Sequence, residues 1–128
     1  MSEVVDEWIS KAEGDYRVAA RELAVTGEGS FDAVCFHTQQ CVEKLLKANL
    51  ILRQVLPPKT HDLADLSRIL SCACSDWDWP LPDLRRLSQS AVDVRYPGVF
   101  ADRTEAEQAF TICTNLRERL RALLGCPA

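Results

Sequence analysis

At 128 residues, 47% of them hydrophobic, the chain is long enough to bury one sizeable core and short enough to hold a single domain. Its net charge of −4 excludes a protein that is basic all over, so any contact with nucleic acid has to use a local basic patch. The acidic start M-S-E-V-V-D-E-W does not read as a secretory signal, and no apolar run approaches the ~20 residues of a membrane span, which points to a cytoplasmic protein without membrane contact.

Six cysteines are present, at 35, 41, 72, 74, 113 and 126. Cys35, Cys41 and Cys113 fall on apolar helical faces, where a free thiol acts as a small hydrophobe. No C-x-x-C occurs, and His37 and His61 do not complete a metal set, so reduced thiols and no metal or other cofactor are expected.

The first predicted helix runs from Ser2 or Glu3 to Val25, with Val5, Trp8, Ala12, Tyr16, Ala19 and Leu23 at helical spacing. Thr26-Gly27-Glu28-Gly29 ends it, and Ser30 is placed to cap the next helix. So short a link makes these two helices antiparallel neighbours. The second helix is predicted over Phe31 to Leu56, up to Pro57-Pro58, which have no N–H to donate. Its apolar stripe is widened by Leu46, Leu50 and Ile51, as expected of a central helix with neighbours on several sides. Gln39, Gln40, Glu43, Lys44 and Lys47 form its one large polar strip. His37 lies one residue off the stripe and is expected to be a partly buried, hydrogen-bonded histidine, the alternative being a ligand or proton-transfer role. With Gln40 and Glu43 it marks a polar window midway along the helix.

Thr60 is the expected cap of a third helix from His61 to about Cys72. Residues 73–82 read as a semi-rigid loop anchored by Trp77 and Trp79. A fourth helix follows from Pro82 to Val94, stopped by Arg95-Tyr96-Pro97-Gly98. Thr104 and Glu107 have the spacing of a capping box, and a last helix runs to Leu124 with Gly125 as terminator. No segment alternates as a strand does. The fold class is therefore all-α: an up-and-down bundle of three long and two shorter helices.

Three segments are more specific than an amphipathic bundle requires: F-H-T-Q-Q-C-V-E-K-L-L-K-A (36–48), T-H-D-L-A-D-L (60–66) and R-Y-P (95–97), in that order, with A-E-G-D-Y-R-V-A (12–19) ahead of them. Together they resemble the HEPN domain family, in particular small prokaryotic members encoded beside a minimal nucleotidyltransferase. The resemblance implies a helical bundle that dimerises, nucleotide or polynucleotide binding, and a nucleotidyltransferase partner in a toxin–antitoxin-like pair. Many members of that family are ribonucleases whose signature is an arginine followed, after four to six residues, by a histidine. Here the matching positions before His37 are Ser30, Phe31 and Asp32, and those before His61 are Gln54, Val55 and Leu56. The signature is absent, which leans away from an enzyme.

Several residues remain as candidates. Lys44, Lys47, His61, Arg95 and Tyr96 are the candidates for a nucleotide or its phosphates. The bland readings are a solvated face for the lysines, a turn role for His61 and a helix-end cation for Arg95. Arg85 and Arg86 join Arg95 and Tyr96 in the densest basic cluster. Glu43 is expected to pair with Arg95 or Arg17. A displaced ribonuclease centre would use His61 with Arg53 or Arg95. A purely structural assembly bundle with no small ligand is the third reading.

Overall fold

The computed structural model describes residues 2–27 and 29–127. Its five helices are α1 (Glu3–Ala24), α2 (Phe31–Leu52), α3 (Leu63–Ala73), α4 (Leu81–Asp93) and α5 (Arg103–Leu123). Three are long and two short, with no strand among the described residues, so the architecture is the all-α bundle expected. α2 packs against all four other helices, and among the described residues no other helix does so. The reason lies in its composition. Val34, Cys35, Cys41, Val42, Leu45, Leu46, Ala48 and Leu50 are buried around most of its circumference. Leu63, Leu66 and Leu70 of α3, Leu84 and Leu87 of α4, and Cys113, Leu116 and Leu120 of α5 close on it from different sides.

The ends of the elements differ from the sequence reading by more than one residue in three places. α2 stops at Leu52, not Leu56. Gln54 takes a left-handed conformation (φ 61°), Val55 N–H donates to Leu50 O and Gln54 N–H to Ile51 O, so a Schellman turn closes the helix before the prolines. α3 begins at Leu63, capped by Asp62, whose carboxylate accepts from the N–H groups of Ala64 and Asp65. Thr60 accepts from the N–H of Asp62 instead, which leaves His61 in the connecting turn. α5 begins at Arg103, and its cap is Asp102, accepting from Glu105 N–H, so the cap lies two residues ahead of Thr104.

Other local expectations hold. Ser30 caps α2 by accepting from Ala33 N–H. Gly125 ends α5 at φ 77°. Trp77 is buried, with Nε1 donating to Ser67 Oγ at 2.9 Å, and Trp79 stacks on it while donating to Asp83. Cys35, Cys41 and Cys113 are buried and free. No helix among the described residues is long and apolar enough to cross a membrane.

Candidate functional site

The polar strip of α2 faces two ways. Gln39, Glu43 and Lys47 recur every four residues and so share one face, and all three are buried. Lys47 Nζ donates to Glu43 Oε2 at 3.1 Å, and Gln39 Nε2 donates to Glu43 Oε1 at 2.9 Å and to the backbone oxygen of His61 at 3.1 Å. Gln40 donates to Gln39 Oε1. The solvated reading is thereby excluded for Lys47. Glu43 does not pair with Arg95 or Arg17, as the sequence suggested; its partners are Gln39, Lys47 and His61. A glutamate on this face meets its own helix and the turn before α3 first.

Burial alone would raise the Glu43 carboxyl, but bonds from Gln39 and Lys47, the Lys47 charge and the bond from His61 outweigh it and hold the group below its ordinary value of 4.5. Glu43 is thus ionised at neutral pH and has no proton to give. His61 Nδ1, 3.1 and 3.2 Å from the two carboxylate oxygens, must therefore carry the hydrogen. In the neutral ring the lone pair is left on Nε2. The side chain of His61 is 70% exposed while that of Glu43 is 5% exposed, so a buried anion holds an accessible imidazole.

His61 lines a cleft of about 720 Å³ together with Gln39 and one face of α4. Arg85, Ser88, Gln89 and Val92 repeat at helical spacing along that face, with Arg95 one turn further on and Arg86 beside them. Among the described residues none of these three arginines forms a salt bridge. Arg86 donates to the neutral Gln108. Ser88 Oγ accepts from Leu63 N–H and ties the start of α3 to α4. The cleft wall thus carries three cations and a carboxylate-oriented histidine, together with one acid, Asp62, whose carboxylate is engaged in capping α3.

The residues proposed from the sequence do not all gather in one place. His61 and Arg95 line the cleft, and Tyr96 is 61% exposed just past it. Lys44 belongs to the α1 side of α2, where its ammonium and His37 Nδ1 both meet Asp15. His37 is part-buried and bonded to α1, as expected. Arg53 Nη1 donates to the backbone and side-chain oxygens of Asn49, at 3.1 and 2.9 Å, and so serves the carboxyl end of α2. Sequence reasoning missed Asp15. Its signal was an acid at 15 on the inward stripe that carries Ala12, Tyr16 and Ala19. The α1–α5 clamp also went unread: Glu13 accepts from Arg117 and Arg121, and Arg117 lies 4.3 Å over the Tyr16 ring.

Burial raises the Glu13 carboxyl less than its two arginines lower it, so Glu13 and Glu43 both lie below 4.5 in the folded chain. A carboxyl depressed on folding contributes stability above its unfolded value and loses it as pH falls through the folded value. Thermal midpoints should therefore fall steeply once pH drops below 4.5, and Glu43→Gln should flatten that fall. A pH series of melting curves reads both.

An all-α bundle with a polar strip buried in its central helix and a cationic cleft over one end of that strip defines the class. The sequence model of the HEPN domain matches residues 5–123, and the chain belongs to that family. Two solved structures share the fold. TT1696 from Thermus thermophilus is 22% identical, with a TM-score of 0.78 over 95% of this chain and 99% of that one. ST0689, described as an archaeal HEPN homologue, is also 22% identical, with a TM-score of 0.66 over 95% of this chain and 98% of that one. No curated protein matches the chain.

Proposed function

We propose that this HEPN protein is a non-enzymatic binding module whose α4 cleft takes the phosphates of a nucleotide or single-stranded polynucleotide. The observation that carries the reading is the gathering of Arg85, Arg86, Arg95 and His61 around one cavity with no acid paired to the arginines among the described residues. Guanidinium groups suit phosphate because their N–H forks match its oxygens. The module acts as a homodimer, together with a nucleotidyltransferase partner in a toxin–antitoxin-like pair. Exposed Val92 on α4 and Tyr96, Val99 and Phe100 in the connection from α4 to α5 support a protein contact at that end of α4. The partner class rests on the family resemblance. Fluorescence anisotropy with a labelled single-stranded RNA tests the binding. A dissociation constant of about 10⁻⁶–10⁻⁴ M that weakens with salt is the expected result, and no binding at low salt would overturn it.

The orientation of His61 favours a second reading, a ribonuclease with a displaced site. Nε2 of the neutral ring would take the proton of a ribose 2′-hydroxyl. The 2′ oxygen would bond to phosphorus, the bond to the 5′ oxygen would break, and that oxygen would leave with the proton, giving a cyclic phosphate and a 5′-hydroxyl. Arginines at the wall would balance the phosphate charge. Intact RNA after incubation with the wild-type protein excludes this reading, and cleavage lost in His61→Asn supports it over the first.

A further inference from the structure

The amino-terminal half of α1 carries a separate groove that the cleft does not use. Val4, Glu7, Trp8 and Lys11 follow at helical spacing on one face, and Lys44 of α2 closes the groove to a volume of about 380 Å³. Its wall is chemically sorted. Val4, 53% exposed, and the Trp8 indole supply an apolar floor. Lys47 Nζ stands 5.9 Å from the Trp8 ring centroid and holds that ring against α2. Lys11 and Lys44 supply positive charge, and Glu7 a negative one.

Lys44 is the built part of this wall. Its ammonium has three N–H donors. The buried Asp15 accepts one, and the hydrogen bonds of the described residues account for no other. Asp15 is itself held by His37 Nδ1 at 2.7 Å. The ammonium is therefore fixed from behind, with donors left over, in a wall that also offers an aromatic face.

A ligand matching all of this has an aromatic body for Trp8 and Val4, an anion for Lys44 and Lys11, and a cation for Glu7. A polyphosphate matches poorly, because its several negative charges would face Glu7 with only Lys11 and an ammonium already paired to Asp15 to offset them, whereas a single carboxylate needs one such partner. We infer that the α1–α2 groove is a second ligand site that takes a free aromatic α-amino acid: carboxylate to Lys44 and Lys11, ammonium to Glu7, ring on Trp8. This site is independent of the proposed α4 cleft.

Isothermal titration of the intact protein with L-phenylalanine and L-tryptophan tests it, with phenethylamine and 3-phenylpropionate as half-ligands. The amino acids should bind saturably below about 10 mM, and each half-ligand should bind at least about tenfold more weakly. Glu7→Gln should weaken L-phenylalanine while leaving 3-phenylpropionate unchanged. Trp8→Leu should abolish binding, and Lys11→Met, at an exposed position that the fold does not need, should weaken it. The inference is overturned if no saturable binding occurs, if a half-ligand binds as well as the amino acid, or if Glu7→Gln has no effect. RNA binding unchanged by saturating L-phenylalanine would confirm that the two sites are separate; competition between them would place the amino acid in the cleft and overturn the assignment.

Discussion

Replacing Glu43 by leucine should lower stability by about 3–5 kcal/mol, the usual effect of removing one partner from a buried pair. Glu43 is buried, and its carboxylate is the common acceptor for Gln39, Lys47 and His61. Without it the Lys47 ammonium, on a residue 8% exposed, loses its one hydrogen-bond acceptor among the described residues. His61 contributes little to the loss because it is already in water. For a domain of this size the melting midpoint should fall by roughly 10–20 °C. The double variant Glu43→Leu, Lys47→Met should recover most of that, since an apolar pair of similar volume substitutes well for a buried ion pair. Chemical denaturation of the three proteins decides it, and a single variant within about 1 kcal/mol of wild type would show that the strip is not a coupled network.

The second large effect concerns the cleft. Changing Arg85, Arg86 and Arg95 together to glutamine should remove most RNA affinity and leave the melting midpoint nearly unchanged. All three are exposed and form no salt bridge among the described residues. Three guanidinium contacts to a single strand correspond to a slope of log K against log salt of about −2, and the triple variant should flatten that slope toward zero. Equal loss at every salt concentration would point to a folding defect instead. The same change at Lys44 should not alter the slope, because that ammonium faces Asp15 on the other side of α2.

The bundle was legible because periodicity is a property of a run of residues. The buried stripe of α2 and the inward leucines of α3, α4 and α5 repeat often enough that no single exception hides them. Helix ends depend on single residues, and there the reading divides. Both α2 and α5 close with the same left-handed turn. At α5 the turn residue is Gly125, which has no Cβ to strain, so its role shows in the sequence. At α2 it is Gln54, which carries no such mark, and the prolines three residues on drew the boundary too far. The caps of α3 and α5 went to threonines because Thr60 and Thr104 had the spacing, while Asp62 and Asp102 had the geometry.

The site was legible in its members and not in its pairings. The polar strip, His61 and the arginines of α4 stand out by type and position. That Glu43 holds His61, and that Asp15 holds both His37 and Lys44, depends on how segments 18 to 29 residues apart in sequence pack against one another. Periodicity reports the face a residue occupies and says nothing of what lies opposite. So Lys44 and Lys47, three residues apart and read as one strip, belong to two networks on two sides of the helix.

The central claim is that phosphate is taken where α4 meets the turn before α3. A titration of the isotopically labelled protein with a short single-stranded RNA, followed residue by residue in amide and histidine ring resonances, tests it most directly. Shifts concentrated at His61, Ser88, Gln89 and Arg95, with Trp8 and Lys11 unmoved, are the predicted result. Shifts centred on the α1–α2 groove, or none at saturating RNA, would contradict it.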